Sequence, residues 1–159
     1  MKLTGSYYVK DDDKLNQSLY LSNIVISREF MLKKQIESLI ITHNFHGAIV
    51  HNFDTLDMIQ LGSGIIHENG CAKLNPLEST GRISVQGLDV ESSVDKVMVI
   101  PDSEGDLIFF VSNNDGKSFL PVVPNTITKF DEVGSVLALQ IIMNKGTLQP
   151  SLNEISILF

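Results

Sequence analysis

The stretch VGSVLALQIIM (residues 133–143) places Leu137, Leu139, Ile141 and Met143 at every second position. Successive side chains on a strand point to opposite faces, so this run makes one apolar face and has no use as a surface helix. The period recurs in the closing LNEISILF, where Ile155, Ile157 and Phe159 share a face with Glu154 and Ser156 between them. GRISVQGLDV (residues 81–90) alternates through Ile83 and Val85, then shifts phase across Gln86-Gly87 to Leu88 and Val90, as a β-bulge does. DKVMVI and DLIFFVS are apolar on both faces and read as buried core strands, with PDSEGD between them as a turn. SFLPVV and TITKF read as short strands divided by Pro124-Asn125.

The first part of the chain is less regular. Residues 1–17 are polar and acidic, with Asp11, Asp12 and Asp13 in a row, and read as an N-terminal arm. Residues 19–26 alternate with a phase change at Ser22-Asn23, which suggests a bent strand. In residues 27–42, Leu32, Ile36 and Leu39/Ile40 fall at helical spacing behind a capping Ser27, while the ending SLIIT favours a strand. A short helix followed by a strand is the expectation. About ten short strands with turn signals every eight to twelve residues define an all-β fold, an antiparallel jelly-roll-like β-sandwich with at most one short helix. Residues 18–159 form its single domain, since no linker or repeat divides them.

Composition narrows the partners. The net charge is −7, and no basic cluster exceeds Lys33-Lys34. Tracking a phosphate backbone requires clustered positive charge, so nucleic acid is not an expected partner. No apolar run approaches the ~20 residues that span a bilayer, and the N-terminus lacks the apolar segment of a secretory signal. Synthesis in a cytoplasm, without a signal peptide, is the expectation. The single Cys71 forms no intrachain disulfide and reads as a small semi-buried hydrophobe.

Several motifs resemble catalytic ones without meeting their geometry. Gly116-Lys117-Ser118 ends like a phosphate-binding loop, but Val111 stands where the first glycine belongs and strand pattern lies on both sides. Asn114-Asp115-Gly116 reads instead as a hairpin turn. Ser63 in LGSGII lacks the spacing of a nucleophile elbow. Asp89, Glu91, Asp95, Asp102, Glu104 and Asp106 make the most acidic stretch, without the glycine placement of a calcium loop. No catalytic residue, cofactor or metal ligand is assigned.

THNFHGAIVHNFD (residues 42–54) carries His43, His46 and His51. On one extended strand His43 and His51 stand about 26 Å apart, too far to share an ion. A hairpin with the two-residue turn His46-Gly47 sends them to opposite faces. A three-residue loop, His46-Gly47-Ala48, pairs them, with Asp54 as a further zinc ligand. Polar strand positions at a rim are the plainer expectation, with a pH-sensitive contact as a second.

The segments FFVSNNDGKSFLPV and GSVLALQIIMNKGTLQPSLNEISILF show an aromatic strand, an Asp115-Gly116 turn, Phe119 after it, a long alternating strand, and Pro150 before a short last strand. Over about 60 residues this order resembles the closing part of β-sandwich modules in tailed-phage virion proteins, similar to the shoulder-type domain of receptor-binding proteins of lactococcal phages. The resemblance implies a non-enzymatic structural or accessory protein of a siphophage of a Gram-positive host. It would sit in the virion tail or baseplate and act in assembly or host adsorption, with other virion proteins or a host cell-surface glycan as partners. Residues 112–117 and 101–106 would be its contact loops. The chain departs from those modules in having no Trp, with Phe119 at the position Trp usually holds. The alternative is a carbohydrate-binding module, with Tyr7, Tyr8, Tyr20 and Phe119 as stacking residues. A glycan-processing enzyme would instead need two convergent acids in a cleft.

Overall fold

The computed structural model describes residues 23–159. They contain one helix, α1 (Asn23–His43), followed by nine strands: β1 (Ala48–His51), β2 (Ile59–Leu61), β3 (Ile65–Glu68), β4 (Cys71–Leu74), β5 (Thr80–Glu104), β6 (Asp106–Ser112), β7 (Leu120–Val122), β8 (Ile127–Asn144) and β9 (Ser151–Leu158). Two compact units divide at α1, one ending at Ser38 and one comprising Leu39–Phe159. The expected arm, residues 1–17, lies outside the described residues.

The strands form one antiparallel sheet in the order β3-β4-β9-β5-β8-β6-β7, with β1 added to β9 and β2 to β5. The sheet folds over on itself because β5 and β8 are long and bent. Their pairing slips between Val85 and Leu88, between Asp89 and Val94, and between Val94 and Lys96. Each slip adds twist and turns the ribbon, which lets one strand serve two layers. The first half of β5 lies with β2, β8, β6 and β7, and its last residues, from Met98 to Glu104, pair with β9. Gly87, with a φ of 68°, takes the backbone shape the first bulge requires.

One apolar cluster fills the space between the layers. Across the first layer, Leu61, Ile83, Ile141 and Phe109 stand in register, as do Ile59, Val85, Leu139, Val111 and Leu120. The other layer contributes Val97, Val99, Leu152, Ile155 and Ile157. Each such side chain, fully buried, stabilises the fold by about 1.5–3 kcal/mol. At the β5–β8 bend, Asn113 is buried and its amide donates to the carbonyls of Val94 (3.1 Å) and Glu132 (2.7 Å). That one side chain satisfies carbonyls of both bent strands, which the interrupted ladder leaves over.

The architecture is the expected all-β sandwich, and several local expectations are corrected. The ending SLIIT continues the helix, and the chain from Asn23 onward is helical where a bent strand was expected; Leu19 to Ser22 lie outside the described residues. Tertiary context and the cap outweigh β-propensity here. Asn44 adopts a φ of 53°, and the Phe45 N–H donates to the Ile40 carbonyl at 3.0 Å, which is a Schellman ending. PDSEGD is no turn: β5 runs through Glu104 along β9, and only Gly105, at φ 83°, redirects the chain. The runs expected as separate strands merge into β5 and β8, which gives nine strands. β6 is not buried on both faces, since Ile108 is 42 % exposed and Phe110 half-buried.

The histidine hairpin is also corrected. His43 ends α1, and residues 48–51 pair with β9 in the register Ala48 to Leu158 and His51 to Ile155. Gly47 abuts the chain end: its N–H and that of His46 donate to the Phe159 carbonyl, and the Phe159 N–H donates to the Gly47 carbonyl at 3.0 Å. A Cβ at Gly47 would stand 3.1 Å from the Phe159 ring, so the close approach favours glycine. A helix-to-strand passage therefore separates His43 from His51, and neither proposed hairpin register exists.

Candidate functional site

The sites singled out in the sequence disperse on folding. Among the described residues, no group of three or more His, Cys, Asp or Glu is placed to hold a metal ion. The His43 carbonyl accepts the Lys96 ammonium at 2.8 Å, and that ammonium lies 5.5 Å from the centre of the buried Phe45 ring. His43 and Phe45 meet edge to face. These contacts fasten the end of α1 to β5 and leave His43 as structure. Cys71 is buried, its thiol directed at the Ala72 carbonyl at 3.6 Å. The acids Asp89, Glu91, Asp95, Glu104 and Asp106 are exposed along β5 and at the start of β6, strung out and not converging. Tyr7, Tyr8 and Tyr20 lie outside the described residues. No described helix is long and apolar enough to cross a membrane.

The loop after β6 is built by side-chain hydrogen bonds. Ser112 Oγ donates to Asn114 Oδ1 at 2.7 Å and accepts the N–H groups of Asn114 and Gly116. Asn114 Oδ1 also accepts the Ser118 N–H, and its amide donates to Ser118 Oγ at 2.9 Å. Asp115 and Gly116 take φ values of 59° and 76°, so the expected Asp-Gly turn is present. Gly116 lies near Phe119 and Ala138: a Cβ there would be 3.5 Å from the Phe119 ring and 3.9 Å from the Ala138 Cβ. The loop thus closes over the outer side of the sheet, where Ser112 and Ala138 pair and are buried.

Beyond that wall the outer face of β2, β5, β8, β6 and β7 is open. Gln60, Ser84, Gln140, Phe110 and Pro121 stand side by side in register across the five strands. At ~4.8 Å between neighbouring strands this row is about 19 Å long. A second row holds Arg82, Ile142 and Ile108, and the far edge carries Thr80, Asn144 and Asp106. Gln60, Arg82, Ile108 and Pro121 are exposed, and Ser84, Gln140, Ile142 and Phe110 are half-buried. The chemistry is an aromatic ring and aliphatic side chains flanked by two carboxamides, a hydroxyl and a guanidinium. Such a surface can take the apolar face of a ligand on Phe110 and exchange hydrogen bonds with its polar rim. Gln140 was visible in the sequence as the one polar residue within LALQIIM. Phe110 was hidden in an all-apolar run, and only the register with Gln140 shows which way it faces.

The outer face is thus partly apolar and bordered by the hydrogen-bonded loop that follows β6. No family model matches the chain, and no curated protein matches it in sequence. Among solved structures it is similar to a family 35 carbohydrate-binding module from Paenibacillus barcinonensis, at 13 % identity and a TM-score of 0.41, over 69 % of this chain and 97 % of that one. It is also similar to a family 35 carbohydrate-binding module from Clostridium thermocellum, at 15 % identity and a TM-score of 0.30, over 69 % of this chain and 90 % of that one.

Proposed function

We propose that this protein is a non-enzymatic binding module that takes a neutral glycan across the outer face of β2, β5, β8, β6 and β7. The observation that carries this reading is the row Gln60, Ser84, Gln140, Phe110 and Pro121, which puts a ring and hydrogen-bonding amides on one exposed surface. Phe110 provides the stacking surface. Gln140 and Ser84, next to it in register, address hydroxyl groups. The net charge of −7 disfavours polyanionic ligands and leaves neutral ones as the best match. Phe119, the other candidate stacking ring, lies beside the loop at Gly116.

A second reading, a tail-associated virion component, is supported by the same turn-and-strand order that carries the phage resemblance: β6, the Asp115-Gly116 turn, β7, the long β8 and β9. The two readings are compatible where the glycan belongs to a host surface. A glycan microarray tests the binding reading. Wild-type protein should retain neutral oligosaccharides, and Phe110→Ala should lose them at least ~10-fold, in line with about 1.4 kcal/mol of stacking. Equal binding by Phe110→Ala, or no retention of any glycan by the wild type, would overturn it.

A further inference from the structure

The second half of the histidine-rich segment has a role that sequence spacing did not show. Phe53 is fully buried and holds a φ of 57°, a left-handed shape that costs a bulky residue on the order of 1 kcal/mol. Both of its backbone polar groups are bound by histidine rings. The Phe53 N–H donates to His51 Nδ1 at 3.0 Å, and the Phe53 carbonyl accepts from His67 Nε2 at 2.6 Å. The His51 and Phe53 rings also meet edge to face, with centres 5.0 Å apart. His51 ends β1 and His67 lies on β3, so Phe53 joins two strands that are not paired with each other.

We infer that the His51–Phe53–His67 clamp is an acid-sensitive latch, which holds residues 52–58 closed at neutral pH and releases them when His51 takes up a proton. The two imidazoles respond differently. His51 acts as an acceptor, so its Nδ1 must be bare; protonation places an N–H against the Phe53 N–H and removes the only acceptor that this amide has in the clamp. His67 acts as a donor and keeps its Nε2–H in either charge state. Only the His51 side therefore fails in acid.

The surroundings support that direction. Burial holds His51 below its ordinary value of 6.5, while the carboxylates of Asp57 and Asp54 pull it partly back. Asp54 is itself engaged by Asn52, whose amide donates to it at 2.8 Å. From β3 the nearest ionisable groups in sequence are His67, on the other side of Phe53, and Glu68 at the strand end. β9 brings the uncharged Ile155 opposite His51, with Glu154 next along the strand. Because the folded group binds its proton less readily than the unfolded one, the closed form is fully favoured above 6.5. It loses stability as pH falls from there through the lowered folded value. What opens carries Leu56 and Met58, 38 % and 55 % exposed even when closed, together with buried Phe53. Acid thus enlarges an apolar patch at one end of the sandwich.

Amide hydrogen exchange of Phe53, read by NMR between pH 7.5 and 5 and corrected for intrinsic rates, tests the latch. Its protection should fall as pH drops below 6.5, by up to ~10-fold per pH unit for one proton, while Ile141 stays protected. In His51→Gln, where a carboxamide oxygen accepts in place of the imidazole, protection should be flat with pH. In His67→Gln the pH response should remain. Titration of the wild-type His51 ring gives a reading that needs no variant, and its midpoint should lie below 6.5. A pH-independent Phe53 amide in the wild type, a response that survives His51→Gln, or a His51 midpoint above 6.5 would each overturn the proposal.

Discussion

On β8, Leu139, Ile141 and Met143 face inward and are buried to 1 % exposure or less, while Gln140 and Ile142, one residue away, face outward and are half-buried. The inner row meets Phe109, Val111, Ile83 and Val85, and the outer row meets Phe110, Ile108, Ser84 and Arg82. One face is apolar throughout and carries the stability of the sandwich. The other mixes a ring, aliphatic side chains and amides, which adds little to a core and is the surface proposed to bind. An apolar run does not make β6 a strand buried on both faces. Phe109 and Phe110 are neighbours in sequence and have opposite duties.

Substitution separates the two faces, and the largest effect belongs to the inner one. Ile141→Ala should cost about 2–5 kcal/mol in chemical denaturation, through lost burial and a cavity between the layers. Phe110→Ala, on the other face, should cost only about 1 kcal/mol. Equal losses would show that Phe110 is core and that the open face is misassigned. Next comes the bend that joins the layers. A Cβ at Gly134 would stand 1.8 Å from the Asn113 carbonyl oxygen, which is backbone and cannot swing aside. Gly134→Ala should therefore lose about 1–3 kcal/mol, with thermal melting as the check. A variant as stable as wild type would mean that the close approach of β8 to Asn113 does not hold the bend.

The smallest expected effect has the opposite sign. Ser156 is fully buried in β9, and its Oγ has no hydrogen-bond partner. Ser156→Ala should leave stability unchanged or raise it by up to about 1 kcal/mol, because an unsatisfied buried hydroxyl is costly. A loss above that size, measured in urea, would reveal a bond to Oγ and a polar site inside the second layer.

The sandwich was legible because period-two alternation is imposed by burial on one face. Leu137, Leu139, Ile141 and Met143 announced β8, and Gln86-Gly87 announced the bulge. Four things were not legible, each for a physical reason. SLIIT favours a strand by its β-branched residues, yet the Asn44 cap and the contacts of Phe45 and Lys96 finish it as helix. Pro101 to Glu104 have turn composition, but pairing with β9 keeps them extended. The histidines suggested a metal or a hairpin because spacing along a chain cannot show that His51 and His67, sixteen positions apart in number, grip the same residue from two strands. The open face shares this limit: Phe110 and Gln140 become neighbours only through the β6–β8 register.

The most direct measurement is an NMR map of backbone amide shifts as the best-retained array oligosaccharide is titrated into the wild-type protein. The largest changes should fall on Ser84, Phe110 and Gln140, with Val97, Val99 and Ile155 of the other layer moving less. Changes centred on the 112–117 loop alone, on β9, or nowhere would contradict it.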